Sequence, residues 1–103
     1  MSEYIDDIRT YESTVDAAAV DTIVKYCGIA LKSRDGSTVA SSDPNELKTV
    51  KEGFAAKKLG LDAAAADAGI AKVLERMKGV RAKHRVTFYY LLAVETGTLG
   101  KLV

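Results

Sequence analysis

A nine-residue apolar run, Val86 to Val94, broken only by Thr87, narrows the folds open to this chain more than any other segment. It is too short to cross a bilayer, which takes about 20 residues, so no membrane association is expected. Apolar on every side, it predicts the most buried helix of a packed domain, within a longer helix over about Arg81 to Thr96. A buried strand is the competing reading of a short apolar run. No other segment offers a strand of comparable quality to pair with it, which favours the helix.

Four further helices are predicted around it. Tyr4, Ile5, Ile8 and Tyr11 share one face of a helix over about Ser2 to Glu12. Asp16 is a good N-cap for a second helix, whose stripe Val20, Ile23, Val24 and Cys27 has the i, i+3, i+4, i+7 spacing. Gly28 then fits a left-handed stop, with Ile29 placed to touch Val24. Asp43-Pro44-Asn45-Glu46 opens the third helix with an N-cap, a proline at the first helical position and an acid able to close a capping box. Leu47, Val50 and Phe54 form its inward stripe, Lys57 and Lys58 fall in its last turn, and Gly60 stops it. Asp62 caps the fourth helix, in which Ile70, Val73, Leu74 and Met77 recur at helical spacing, before Gly79. Gly69 lies inside that helix at a cost of about 1 kcal/mol relative to Ala, which points to a neighbouring backbone passing close.

The stretch 29–42 reads as an irregular loop with one helical turn. A hairpin around Asp35-Gly36 is the alternative, but an isolated two-stranded ribbon is marginal in water. The predicted architecture is therefore all-α: one domain over residues 1–103, an orthogonal bundle of about five helices around the buried C-terminal one.

Asp35 followed by Ser37-Thr-Val-Ala, then Pro44-Asn-Glu-Leu-Lys-Thr-Val-Lys, Phe54, Lys57-Lys-Leu-Gly-Leu and Phe88-Tyr-Tyr-Leu-Leu resemble a family of small bacterial proteins of unknown function. The resemblance covers Ile29 to Leu92, about two thirds of the chain. It implies a compact all-helical domain of bacterial origin and carries over no catalytic or binding residue.

Charge is distributed unevenly. Between Met1 and Asp21 six acids face one base, whereas between Lys72 and Arg85 six bases face one acid. Arg76, Lys78, Arg81, Lys83, His84 and Arg85 are thus the candidate anion or partner surface, with Lys57 and Lys58 as extensions. Clustered cations of this kind supply the sequence-independent part of nucleic-acid binding. The competing reading is that the acidic opening stretch lies beside the basic one and neutralises it. The charges nearly cancel overall, 15 basic against 14 acidic, which favours neutralisation over a dedicated nucleic-acid binder. Arg81, Lys83, His84 and Arg85 would crowd the positive end of the fifth helix and so call for an acidic partner or a bound phosphate.

No chemistry-bearing constellation assembles from these letters. Cys27 and His84 are each the single residue of their kind, too few for a structural zinc site, and Cys27 sits on an apolar stripe. Neither GxxxxGK[ST] nor GxGxxG occurs, so no nucleotide cradle, cofactor or metal is expected. Tyr89 and Tyr90 are about 100° apart on a helix and read, like Phe54 and Phe88, as core with their hydroxyls finding partners. An enzyme would require a deep pocket gathering His84, a carboxylate and a tyrosine. The expectation is a non-catalytic interaction or accessory module with a protein partner, monomeric or homodimeric. Electrostatic binding of nucleic acid or a phosphate ligand through 72–85 is the alternative. The lone Cys and an opening stretch without a basic and apolar leader point to the cytosol.

Overall fold

The computed structural model describes residues 2–32, 37–40, 42–80 and 83–102. Its helices are α1 (Ser2–Arg9), α2 (Ala17–Cys27), α3 (Pro44–Val50), α4 (Ala63–Arg76) and α5 (Arg85–Glu95), and the fold is all-α as predicted. None of the described helices is long and apolar enough to cross a membrane.

Helix α5 is the axis of the packing. It touches α1, α2, α4 and the C-terminal 3-10 turn Leu99–Leu102, and every residue from Arg85 to Ala93 is buried. The other helices turn their predicted stripes into the same core. Ile8 of α1, Val20 and Ile23 of α2, Val50 of α3, and Val73 of α4 with Met77 just beyond it are wholly inaccessible, and Tyr4, Ile5, Tyr11, Val24, Cys27, Leu47 and Leu74 pack at the edge of this core.

The caps form where polar residues precede apolar periods. Asp16 Oδ1 accepts from the amides of Ala18 (3.0 Å) and Ala19 (3.3 Å), and Asp62 Oδ1 accepts from Ala65 (2.8 Å). Asp43 accepts from Asn45 at 2.9 Å, with Pro44 at the first helical position. Each supplies an acceptor to an amide that has no partner within its own helix.

Several boundaries differ from the expected ones. Helix α1 stops at Arg9 rather than Glu12, because Thr10 and Tyr11 turn back on the carbonyls of Asp7 and Ile8, with the Thr10 hydroxyl also on Asp7 at 2.6 Å. Gly28 has φ +52° but ψ −123°, so it opens a 3-10 turn, Gly28–Lys32, instead of a Schellman stop. That is the single helical turn expected within 29–42. Asp35 and Gly36, the centre of the alternative hairpin, lie outside the described residues.

The same stretch also holds a strand. Thr38–Val39 (β1) pairs antiparallel with Lys83–His84 (β2), in the register Thr38 to His84 and Val39 to Lys83. The Arg85 amide donates to Ser37 O at 2.8 Å. Helix α5 therefore starts at Arg85 rather than Arg81, and Lys83 and His84 stand in a strand instead of crowding its first turn.

Helix α3 continues directly into a π-helical segment, Lys51–Lys58, which closes with the Leu59 amide on Phe54 O at 3.1 Å. Gly60 follows at φ +68°, and the Lys101 ammonium caps the end by donating to Leu59 O at 3.0 Å. Glu46 does not close the expected capping box. The Asp43 amide donates to Ala40 O (2.9 Å) instead, and the Glu46 carboxylate is turned to Arg85. At Gly69 the close neighbours are side chains rather than backbone. A Cβ there would stand 2.5 Å from Thr96 Cγ2 and 2.8 Å from Leu92 Cδ1.

Candidate functional site

The basic segment does not present one cationic face. Arg76, at the end of α4, sends Nη2 to Tyr11 O (2.6 Å) and Glu12 Oε2 (2.5 Å) and Nη1 to Glu95 Oε2 (3.1 Å). Lys83 is 9% exposed and donates to Val80 O at 2.7 Å. The His84 ring meets Tyr4 edge-on, centroids 6.3 Å apart. Lys72 and Lys78 are exposed, as are Lys57 and Lys58. Arg81 lies outside the described residues. Glu12 of the acidic opening stretch thus meets Arg76 of the basic one, and Asp7 accepts a 2.5 Å hydrogen bond from buried Thr87.

Arg85 has the most elaborate surroundings. Its Nη1 donates to the Tyr89 hydroxyl at 2.9 Å, and its Nη2 donates to Thr38 O at 3.1 Å and to the Glu46 carboxylate. The guanidinium carbon lies 5.7 Å from the centre of the Tyr89 ring. Burial works against its charge, and Tyr89 and Glu46 more than restore it, leaving the pKa above the ordinary arginine value. The pair is a charge taken largely out of water and held by a planar fork.

Arg85 forms one wall of a cleft of about 200 Å³ where the C-terminal ends of α2 and α3, the π-helical segment and α5 converge. Phe54 and Tyr89 stack in its floor, centroids 4.2 Å apart and planes within 15°. Tyr26 stands edge-on to both, at 5.3 Å from Phe54 and 6.4 Å from Tyr89. Cys27, Thr49 and Gly53 complete the lining. Burial pushes the Cys27 thiol up to about 11, opposed by the nearby Arg85 charge. Burial likewise raises Tyr89, again opposed by Arg85. At neutral pH the thiol is therefore protonated and a poor nucleophile.

Two other depressions are larger. A trough of about 390 Å³ between α3 and α4, floored by Leu47 and Ile70, is bridged by Lys51 and Asp67 at 3.3 Å. Another of about 290 Å³ gathers Tyr4, Leu31, Ser37 and His84. It joins His84 to a tyrosine, but its described lining includes no carboxylate. Of these three depressions of the described residues, the 200 Å³ cleft is the one that combines aromatic walls, an arginine held in a half-buried ion pair and titratable groups shifted by their surroundings, the combination that marks functional sites.

Tyr26 gives that cleft its exposed edge. At 42% exposure it is the one large hydrophobic side chain left exposed among the described residues. The sequence held a signal for it, since Tyr26 is an aromatic beside, not within, the buried stripe of α2. Arg85 stood among the candidates as a surface cation, whereas its role is internal. Phe54 and Tyr89 were expected as core, and they are buried while also flooring the cleft.

A family model described as a protein of unknown function, DUF2853, matches residues 3–100. No curated protein matches the chain.

Proposed function

The chain belongs to the DUF2853 family of proteins of unknown function, and from that footing we propose that it is a small non-catalytic interaction module engaging a protein partner through the face around Tyr26. The observation that carries this reading is the exposed Tyr26 ring, braced edge-on against the stacked Phe54 and Tyr89 with the Arg85–Glu46 pair behind it. Tyrosine and arginine are the residue types that most often dominate interface energetics, and a ring held by its neighbours loses little entropy on binding. The inward pairing of Arg76 and Arg85 takes two cations from the surface that a nucleic acid would need, which favours a protein partner over the electrostatic alternative. A lone unpaired thiol suits a reducing compartment such as the cytosol.

The test is affinity capture from nuclease-treated and untreated lysate of the native cell. Wild type, Tyr26→Ala and the double variant Lys72→Ala/Lys78→Ala are compared. The expected result is a stoichiometric protein partner retained by the lysine variant and lost with Tyr26→Ala. Capture of nucleic acid that is lost with the lysine variant would instead establish the electrostatic reading.

A further inference from the structure

We infer that residues 2–12 form a latched strap, which swings off α5 as one unit about Ser13 and Thr14 while the rest of the domain stays folded. The inference uses no residue of the Tyr26 face and stands apart from the interaction reading.

The strap has little apolar hold. Helix α1 is eight residues long, short of the about 12–15 that a helix needs to persist alone in water, so it is helical only where it is docked. It docks on α5 and α2. Of the strap's described side chains Ile8 alone is wholly inaccessible, and Tyr4, Ile5 and Tyr11 lie at the edge of the core. Parting the strap uncovers one core side chain, whereas global unfolding uncovers all the others as well.

The remaining hold is polar, and both of its halves survive parting. Asp7 accepts from Thr87 Oγ1 at 2.5 Å, and Thr87 is the polar interruption of the apolar run. Arg76 donates to Tyr11 O at 2.6 Å and to Glu12 Oε2 at 2.5 Å. Neither donor is stranded when the strap leaves. Arg76 keeps Glu95 of α5, at 3.1 Å, and a threonine hydroxyl in a helix can turn to a carbonyl of the preceding turn. The penalty of a buried unpaired group, which otherwise seals a polar contact, is therefore absent from the body of the domain. A valine at 87 would make the seam apolar; threonine makes it a joint.

The hinge follows from where the chain is fixed again. The Asp16 carboxylate caps α2, and its amide donates to the Tyr90 hydroxyl at 2.8 Å. Between this anchor and the Glu12 latch stand Ser13 and Thr14, exposed and outside any helix. They can turn without disturbing α2. Access to the Thr87 side of α5 is then set by an opening equilibrium within the folded domain.

The test is native-state hydrogen exchange on the full ¹⁵N-labelled chain, over urea concentrations below the unfolding transition. The amides of Ile8, Tyr11 and Glu12 are expected to share one opening equilibrium, at least tenfold more populated than that of Tyr90–Ala93 and nearly independent of urea. Glu12→Gln should speed the three together by about tenfold, and Glu12→Gln/Asp7→Asn further, with α5 unchanged in both. Both variants lie on the strap and leave the body of the domain as it is. Rates and urea dependence shared with α5 would overturn the inference. So would rates that rise steadily from Glu12 to Ile8, which mark fraying of a helix end, or no response to Glu12→Gln. Loss of α5 protection by the same factor, or a double variant that fails to fold, would show that residues 2–12 belong to an indivisible core.

Discussion

Arg85 and Tyr89, one turn apart on α5, hold each other twice: the guanidinium donates to the tyrosine hydroxyl at 2.9 Å and lies 5.7 Å from the centre of the same ring. Glu46 completes the arrangement from α3, so a charge at the start of the most buried helix is answered from another element.

Glu46→Ala should therefore cost about 3 kcal/mol, the lower end of what is lost when one member of a buried pair is removed, since both partners retain some solvent contact. Glu46→Ala/Arg85→Met should recover part of that loss, because no uncompensated charge remains. Urea denaturation of the three chains measures it. A single variant within 0.5 kcal/mol (roughly the scatter of surface substitutions) would show that the pair is solvated.

Cys27 gives a prediction in pH. Its pKa is raised from 9.0 to about 11 on folding, and that of Tyr89 is raised as well. Both folded groups hold their protons more tightly than the unfolded chain does. The stability they contribute is fully present below pH 9 and is lost as pH climbs towards and through 11. Denaturation midpoints should fall over that window and fall less in Cys27→Ala. At pH 8, iodoacetamide should alkylate Cys27 at least tenfold more slowly in the folded chain than in urea, where a thiol at the unshifted value of 9.0 is about a tenth ionised.

Gly69 separates propensity from packing. In an open helix Gly→Ala gains about 1 kcal/mol. Here the added methyl would stand 2.5 Å from Thr96 Cγ2 and 2.8 Å from Leu92 Cδ1, an overpacking of the kind that costs about 1–3 kcal/mol. Gly69→Ala should lower the melting temperature, and adding Thr96→Ser, which removes Cγ2, should restore part of it. A rise in melting temperature for the single variant would mean that α4 and α5 part easily.

Tyr90 is 1% exposed, and its hydroxyl accepts from the Asp16 amide at 2.8 Å. Tyr90→Phe should cost about 1–2 kcal/mol by leaving that amide without its partner. Hydrogen exchange should locate the loss, with the first turn of α2 losing protection while α4 keeps its own. Uniform loss across the chain would place the effect elsewhere.

What could be read from the letters is what neighbours in sequence decide. Asp16, Asp43 and Asp62 cap because each precedes an apolar period, Pro44 fits only a first turn, and the glycines at 60 and 79 accept the positive φ that ends a helix. Burial of Val86–Ala93 followed from a run with no charged side to turn outward. Pairings across the chain were not legible in the same way. Thr38–Val39 and Lys83–His84 are too short and too far apart to announce a ladder, and the π-helical register after Val50 departs from an apolar period that fits an ordinary helix.

Propensity, caps and hydrophobic period act over a few residues, and they suffice to specify a helical fold with α5 at its centre. Where the charges go and where a cleft opens depend instead on packing between elements far apart along the chain. Arg76 meets Glu12, and Arg85 meets Glu46, over distances along the chain that no local rule spans. Once withdrawn in part from water, each guanidinium must take whichever carboxylate or carbonyl the packing brings within reach, since leaving it unpaired would cost more than the pairing gains.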